Sequence, residues 1–284
     1  MPIIVGVHRS GTTLLRMMLD AHPLLAIPPE THFLIKLLSS TNAPMTGESF
    51  LGVIQSTRNW VDFKAIESTF VERIASLQSF SLATGLRIFY ETYAAQFDKP
   101  RYGDKTPRYL TIADKIQAIL PEAHFIHLIR DGRDVALSSR NLWFGPGDNI
   151  EAQARNWLEK ITQMRFQARS LANYLEVKYE NLILNPEATL TEICQFLSLP
   201  YEAAMEHYYE NAALRLREFK DHLNPDGTVY ASGDQRREIH KLASSPPDAA
   251  RVFAWQTELT KQDQAKFEDI AGELLKALGY ETRR

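Results

Sequence analysis

The sequence predicts an α/β protein in three layers, with a central parallel sheet and helices on both faces. Three observations predict it. Short apolar, β-branched runs recur at 2–7, 123–129 and 174–179. Each run is followed by a stretch with helical spacing of its apolar residues. Twice, a compact polar or charged loop stands between run and helix, at 8–13 and at 130–134. Strands alternating with helices imply βαβ units and parallel pairing. Such sheets bind ligands beyond the carboxyl ends of their strands.

The elements follow in order. Pro2 to Val7 is a short strand bounded by a glycine-containing turn. Leu14, Leu15, Met18 and Leu19 set a helix over 12–21, which His22-Pro23 ends. Residues 31–97 read as mainly helical, with a polar break near 39–49. A second strand surrounds Tyr102. A helix over 109–120 is indicated by apolar residues at 110, 112, 116, 119 and 120. The strongest buried strand, 123–129, feeds a helix over 135–142. A long amphipathic helix over 150–173 precedes the strand at 174–179, and helices follow at 187–197 and 262–278.

The 284 residues suffice for a large core without a metal or disulfide staple. No repeat, low-complexity tract or linker divides them, so 1–284 reads as one domain, with a mainly helical acceptor-side segment at about 35–97 added to the sheet. Charged residues make up 24% and the formal net charge is −3. That balance does not suit a general polyanion or nucleic-acid binder, so any bound anion has to be held by local charge and backbone amides. The single cysteine, Cys194, lies in an apolar stretch and reads as a small buried hydrophobe. With no possible internal disulfide, no signal peptide and no membrane-spanning run, the chain reads as cytoplasmic.

Residues 6–13 read Gly6-Val7-His8-Arg9-Ser10-Gly11-Thr12-Thr13. The glycine spacing is that of a phosphate loop, with Thr12 where the lysine normally stands. Gly6 and Gly11 let the backbone wrap an oxyanion, and a helix starting near Thr12 points free N–H groups at it. Ser10, Thr12 and Thr13 add hydroxyls and Arg9 adds fixed charge. The fold is therefore of the P-loop type. Without the lysine the loop is a poor holder of triphosphates. The buried strand 123–129 also ends in Arg130, not in a magnesium-binding aspartate. No His/Cys/Asp/Glu cluster has metal-ligand spacing, so no metal is expected.

His8-Arg9-Ser10-Gly11-Thr12-Thr13-Leu14-Leu15 resembles the 5′-phosphosulfate loop of sulfotransferases that use the nucleotide donor PAPS. The branch it is most similar to includes tyrosylprotein and many bacterial sulfotransferases. His8 stands where that branch commonly has proline. The likeness continues through Met18-Leu19-Asp20-Ala21-His22-Pro23 to Glu30-Thr31, and through 101–142 and 174–200, and becomes loose from 201 onward. The resemblance implies that Arg130 and Ser138, at the second charged loop, hold the 3′-phosphate of PAPS and of its product PAP. Tyr179-Glu180-Asn181-Leu182 resembles a further family segment. Tyr179 either reaches the donor or packs in the core with a tethered hydroxyl.

Sulfuryl transfer needs a base for the acceptor hydroxyl and a cation for the developing charge. The resemblance assigns Glu30 as general base and Lys105, in Gly103-Asp104-Lys105-Thr106-Pro107, as the stabilising cation. Read without it, Glu30 after Pro28-Pro29 is also a helix-start acid, and Lys105 a solvated charge. Arg133 and Asp134 read as a helix-start charge pair. His22, His32, His124 and His127 read as hydrogen-bonded structural residues, with contact to the acceptor as the alternative for His32, which lies near Glu30. Arg236, Arg237 and Arg251 read as surface charge, with a place over the donor as the alternative, and 232–235 as part of a closing loop. Trp60, Phe63, Phe70, Phe80, Phe89, Tyr90 and Tyr93 read as a helical core stripe, with an acceptor pocket as the alternative. The leading expectation is transfer from PAPS to a hydroxyl of a small molecule, glycan or peptide. The alternatives are a P-loop kinase, which Thr12 disfavours, and a nucleotide-binding module without chemistry.

Overall fold

The computed structural model describes residues 1–39, 44–140, 142, 145–224 and 226–283. Strand β1 (Pro2–Gly6) leads into helix α1 (Thr12–Asp20). Then come β2 (Leu25–Ala26), α2 (Phe33–Ser39), α3 (Gly47–Gln55), a 3₁₀ segment at Arg58–Ile66, α4 (Glu67–Ala75) and α5 (Leu82–Ala95). β3 (Arg101–Tyr102), β4 (Asp104–Lys105), a 3₁₀ turn at Pro107–Thr111 and α6 (Ala113–Ile119) precede β5 (His124–Ile129). α7 (Gly132–Ser138), α8 (Ile150–Ala168), β6 (Tyr174–Lys178), α9 (Tyr179–Leu184), α10 (Pro186–Phe196) and α11 (Tyr209–Leu216) follow. A short hairpin, β7 (His222–Leu223) and β8 (Val229–Ala231), is succeeded by α12 (Gly233–His240), α13 (Trp255–Glu258) and α14 (Lys261–Ala277).

The main sheet has the order β4-β1-β5-β6, and every pairing in it is parallel. β1 is central, and the chain leaves it first toward β4 and later crosses to β5. That reversal is the topological switch point where such sheets hold ligands. Register aligns Gly6 with Leu128, and Leu128 with Val177. The chain therefore leaves β1, β5 and β6 along one edge of the sheet.

Strand alternation builds the three layers. Ile3, Val5 and Phe125 face a cluster formed with α2 to α6, while Ile4, Ile126 and Leu128 face one formed with α1, α10 and α11. Val7, just past β1, and Ile129, the last residue of β5, join a third cluster with α7, α8 and α14. Of the aromatic stripe, Trp60, Phe63, Phe70, Phe89, Tyr90 and Tyr93 are buried in the first cluster and Phe80 packs against it. The stripe is core.

Several boundaries differ from expectation for local reasons. The strand around Tyr102 is two strands. β3 pairs with β2 in a separate two-stranded sheet, and β4 pairs with β1. The helix expected over 109–120 is broken at Ile112, whose φ of −139° is not helical. The helix expected over 135–142 starts earlier, at Gly132, because the Asp131 carboxylate caps it by accepting the Arg133 N–H. It ends at Ser138, and residue 141 of the expected span lies outside the described residues. α8 stops at Ala168, and Tyr179 opens α9 rather than ending β6. Residues 40–43 of the expected break near 39–49 also lie outside the described residues.

Candidate active site

The loop after β1 folds back on itself. Ser10 N–H donates to the Val7 carbonyl, and Leu15 N–H to the Gly11 carbonyl, each at 3.1 Å. Arg9 and Gly11 adopt φ of 71° and 94°. A Cβ on Gly11 would lie 2.5 Å from the Tyr179 ring, so both backbone and space require glycine. Gly11 caps α1 without a side-chain bond, which leaves N–H groups of the first turn free for an anion. Ser10 is fully buried, yet its Oγ has no hydrogen-bond partner among the described residues. An orphaned buried hydroxyl costs free energy, and a phosphate oxygen would satisfy it.

Arg130, Ser138 and Tyr179 converge on this loop. Arg9 Nε donates to the hydroxyl and the carbonyl of Ser138, both at 3.2 Å, and Arg9 Nη1 donates to the Ile239 carbonyl at 3.2 Å. Arg130 donates to the carbonyls of Arg9 at 3.3 Å and Arg251 at 2.8 Å, and lies 3.7 Å from Asp134. Its Nε is buried with no partner among the described residues. Burial, and then the neighbouring Arg130 and Arg251, pull the Arg9 guanidinium below its usual pKa. Cations gathered this closely repel one another, and a polyanion relieves the repulsion. The Tyr179 ring packs in the core beneath Arg130, 4.4 Å from ring centroid to guanidinium, and also lines the cleft.

Glu30 and Lys105 meet on the other side of the loop. Lys105 closes β4, 1% exposed, and its Nζ donates to Glu30 Oε1 at 2.6 Å and to Thr13 Oγ1 at 3.2 Å. It is not a solvated charge. Glu30 is one-fifth exposed and lies before α2, not in its first turn, because His32 takes a φ of 55° and helix begins only at Phe33. His32 Nε2 sits 2.8 Å from the second Glu30 oxygen. Burial pushes the Glu30 carboxyl up, but Lys105 and His32 hold it well below the usual range. Burial pulls the Lys105 ammonium down, and Glu30 partly offsets this.

The phosphate loop, Arg130, Ser138 and Glu30 line one cleft of about 960 Å³, with Lys105 buried behind Glu30 and Thr13. Its walls include residues with no motif of their own. His240 Nδ1 lies 3.3 Å from Thr13 Oγ1, and burial, followed by Lys105, pushes the imidazole down to about 3. Asn59 donates to the Glu30 carbonyl at 2.9 Å. Residues 232–235 form a capping box that starts α12, and Arg236 locks this helix to the buried side chain of Asp62 at 2.6 Å. Arg236 and Arg251 line the cleft, while Arg237 pairs with Asp234 away from it. Arg133 and Asp134 do not pair with each other. Arg133 binds Asp131 and Glu268, and Asp134 accepts the N–H groups of Phe253 and Trp255. His22 and His127 bond the Pro200 carbonyl and the Tyr174 hydroxyl, and His124 the Glu122 carbonyl. Cys194 is buried. Among the described residues no group of three metal-ligating side chains comes together, and no helix is long and apolar enough to cross a membrane.

Switch-point loop, buried arginines and Glu30–Lys105 pair define an α/β protein of the P-loop type with a cationic cleft at the sheet edge. A family model described as the sulfotransferase family matches residues 3–203, a span that holds all ten site residues read from the sequence. The chain belongs to the sulfotransferase family. It is 27% identical over 305 residues to the nodulation protein NoeE of Sinorhizobium fredii, covering 98% of this chain and 65% of that protein. It is also 27% identical over 293 residues to a protein-tyrosine sulfotransferase of Drosophila melanogaster, covering 99% and 52%. The chain thus spans between half and two thirds of these relatives' length. Among solved structures, the sulfotransferase domain from the curacin biosynthetic pathway superposes with a TM-score of 0.64 at 22% identity, covering 99% of this chain and 98% of that one, and so shares the fold.

Proposed function

We propose that this protein transfers a sulfuryl group from PAPS to an acceptor hydroxyl, with the whole chain acting as one sulfotransferase domain. The observation that carries the reading is the contact of Lys105 with both Glu30 and Thr13, which sets a base and a cation beside the phosphate loop. Glu30 takes the acceptor proton while the acceptor oxygen attacks sulfur. The sulfur–oxygen bond to the 5′-phosphate breaks, and the leaving oxygen gains negative charge. Lys105 and the loop N–H groups stabilise that charge. In the free protein Lys105 is paired with Glu30, so the donor has to draw the ammonium onto itself. That exchange also releases the carboxylate as a base.

Arg9, Ser10, Gly11, Thr12 and Thr13 would hold the 5′-phosphosulfate, and Arg130 and Ser138, flanked by Tyr179, the 3′-phosphate. The partnerless Ser10 Oγ and Arg130 Nε fit that assignment. The acceptor is a hydroxyl on a small molecule, glycan or peptide that enters past Glu30. Calorimetry with PAP, ATP and ADP tests the donor. PAP should bind tightest, and a strong preference for ATP would overturn the reading. Labelled transfer from PAPS to an acceptor panel tests the chemistry. Glu30→Gln should abolish transfer and leave PAP binding intact; lost PAP binding would instead make Glu30 structural.

A further inference from the structure

Behind the Glu30–Lys105 pair lies a carboxyl group that the proposed chemistry does not use. Asp104 is fully buried. It makes no ion pair among the described residues. Its Oδ2 accepts two hydroxyl protons, from Thr31 at 2.7 Å and from Tyr90 at 2.8 Å. A buried carboxyl without a cation is costly, so its placement calls for a physical reason.

The hydrogen bonds around it run in one direction. The Leu34 N–H donates to the Tyr109 hydroxyl at 3.2 Å. The Tyr109 hydroxyl lies 2.6 Å from Thr31 Oγ1. Thr31 has one hydroxyl proton, and it points to Asp104, so Tyr109 is the donor to Thr31. A carboxylate only accepts, so Asp104 is the end of this chain and fixes the direction of each bond behind it. The Thr31 N–H completes the staple by donating to Thr106 Oγ1 at 3.0 Å.

Sequence neighbours turn this staple into an alignment device. Thr31 follows Glu30, and Asp104 and Thr106 flank Lys105. In an extended strand, side chains alternate between faces. Asp104 and Thr106 therefore grip the Glu30 loop from behind, while Lys105 reaches Glu30 from the front. We propose that Asp104 is a positioning residue for sulfuryl transfer, the terminal acceptor that holds Thr31 and so sets Glu30 against Lys105. The inference rests on the reading of Glu30 as the base.

Two substitutions separate positioning from mere stability. In Asp104→Asn the side-chain carbonyl still accepts from Thr31 and Tyr90. Its amide falls where Oδ1 has no partner. This variant should lose stability and keep the alignment. Asp104→Ala removes the acceptor altogether. It should lower kcat by about 10-fold or more in folded enzyme, with donor KM within about 2-fold, as displaced reacting groups do. Asp104→Asn should stay within about 3-fold of wild type.

Carbon-13 NMR of the Glu30 carboxyl reads the alignment without turnover. Asp104→Ala should raise the Glu30 titration point, because the carboxylate drifts from Lys105, and Asp104→Asn should leave it in place. Where Asp104→Ala fails to fold, Thr31→Val keeps the shape, removes the hydroxyl and should give the same rise. An unmoved Glu30 titration in Asp104→Ala or Thr31→Val would overturn the inference, as would Asp104→Asn being as slow as Asp104→Ala. A shifted Glu30 in a protein that never transfers sulfuryl from PAPS would support the positioning and sink the proposed reaction.

Discussion

Replacing Lys105 with methionine keeps most of the side-chain bulk and removes one buried charge. In the free protein that charge lies 2.6 Å from Glu30 and 3.2 Å from Thr13, with 1% of the side chain exposed. When the donor binds, the ammonium exchanges one anion for another, so its ground-state interaction changes little. What remains is charge that develops only in the transition state. Loss of one such preorganised donor costs about 2.7–4 kcal/mol, or roughly 10²–10³ in kcat. A second effect appears in the pH profile. With Glu30 as the proposed base, the rate rises with pH through its pKa. Burial raises that pKa, while Lys105 and His32 more than offset the burial. Without Lys105 the pKa climbs, and the acid limb of kcat/KM moves to higher pH. Single-turnover transfer of labelled sulfuryl gives the rate, and PAP calorimetry checks that the donor site survives. A Lys105→Met enzyme within about threefold of wild-type kcat, with its acid limb unmoved, would refute the reasoning.

Three further predictions test the frame around this pair. Gly11→Ala places a non-glycine residue at φ 94° with its Cβ 2.5 Å from the Tyr179 ring, and should destabilise the fold by more than about 1 kcal/mol while weakening PAP binding; urea unfolding with calorimetry decides, and unchanged values in both would show that the loop does not need glycine there. Arg130→Gln should cost about 1.5–3 kcal/mol in PAP affinity, the range of charge-assisted hydrogen bonds, and leave 5′-AMP affinity nearly unchanged; an equal loss for both ligands would move Arg130 away from the 3′-phosphate. Arg133→Met strands the buried carboxylate Asp131, which Arg133 contacts at 2.7 Å, and removes its 2.8 Å pair with the partly exposed Glu268, and should cost about 3–5 kcal/mol of stability; thermal unfolding within a degree or two of wild type would contradict this.

The layer architecture and the anion loop were legible in the chain. Both rest on local patterns, namely runs of β-branched residues, helical spacing, and a glycine pair between a strand and a helix. Sequence order alone brings Gly6 to Gly11 against α1, because a six-residue loop has nowhere else to go. Glu30 and Lys105 were legible only through resemblance, and Arg130 was legible as a charge at the end of a buried strand, with its partner phosphate given by the resemblance. Their spacings of 75 and 25 residues contain no periodicity that would bring them together. Sheet order brings Lys105 and Arg130 together, by placing the ends of β4 and β5 on either side of β1, and Glu30 joins them through the β2–β3 pairing and the bonds of Thr31 to Asp104 and Thr106.

Other features had no sequence signal. The partition of the Tyr102 strand between two sheets depends on which neighbour each half finds. His240 and Asn59 reach the site from 227 residues after Thr13 and 29 after Glu30, and neither stands in a motif. Nothing in Gly103-Asp104-Lys105 marks Asp104 as the buried acceptor that Thr31 and Tyr90 share.

By itself the sequence determined the α/β layering and the glycine-bounded loop between β1 and α1, since each is written in neighbouring residues and short periods. Tertiary structure alone decided which distant charges become partners, which hydroxyls align them, and which aromatic side chains serve as core. Those outcomes depend on burial and on parallel strand order, and both are set only when segments far apart in the chain pack together.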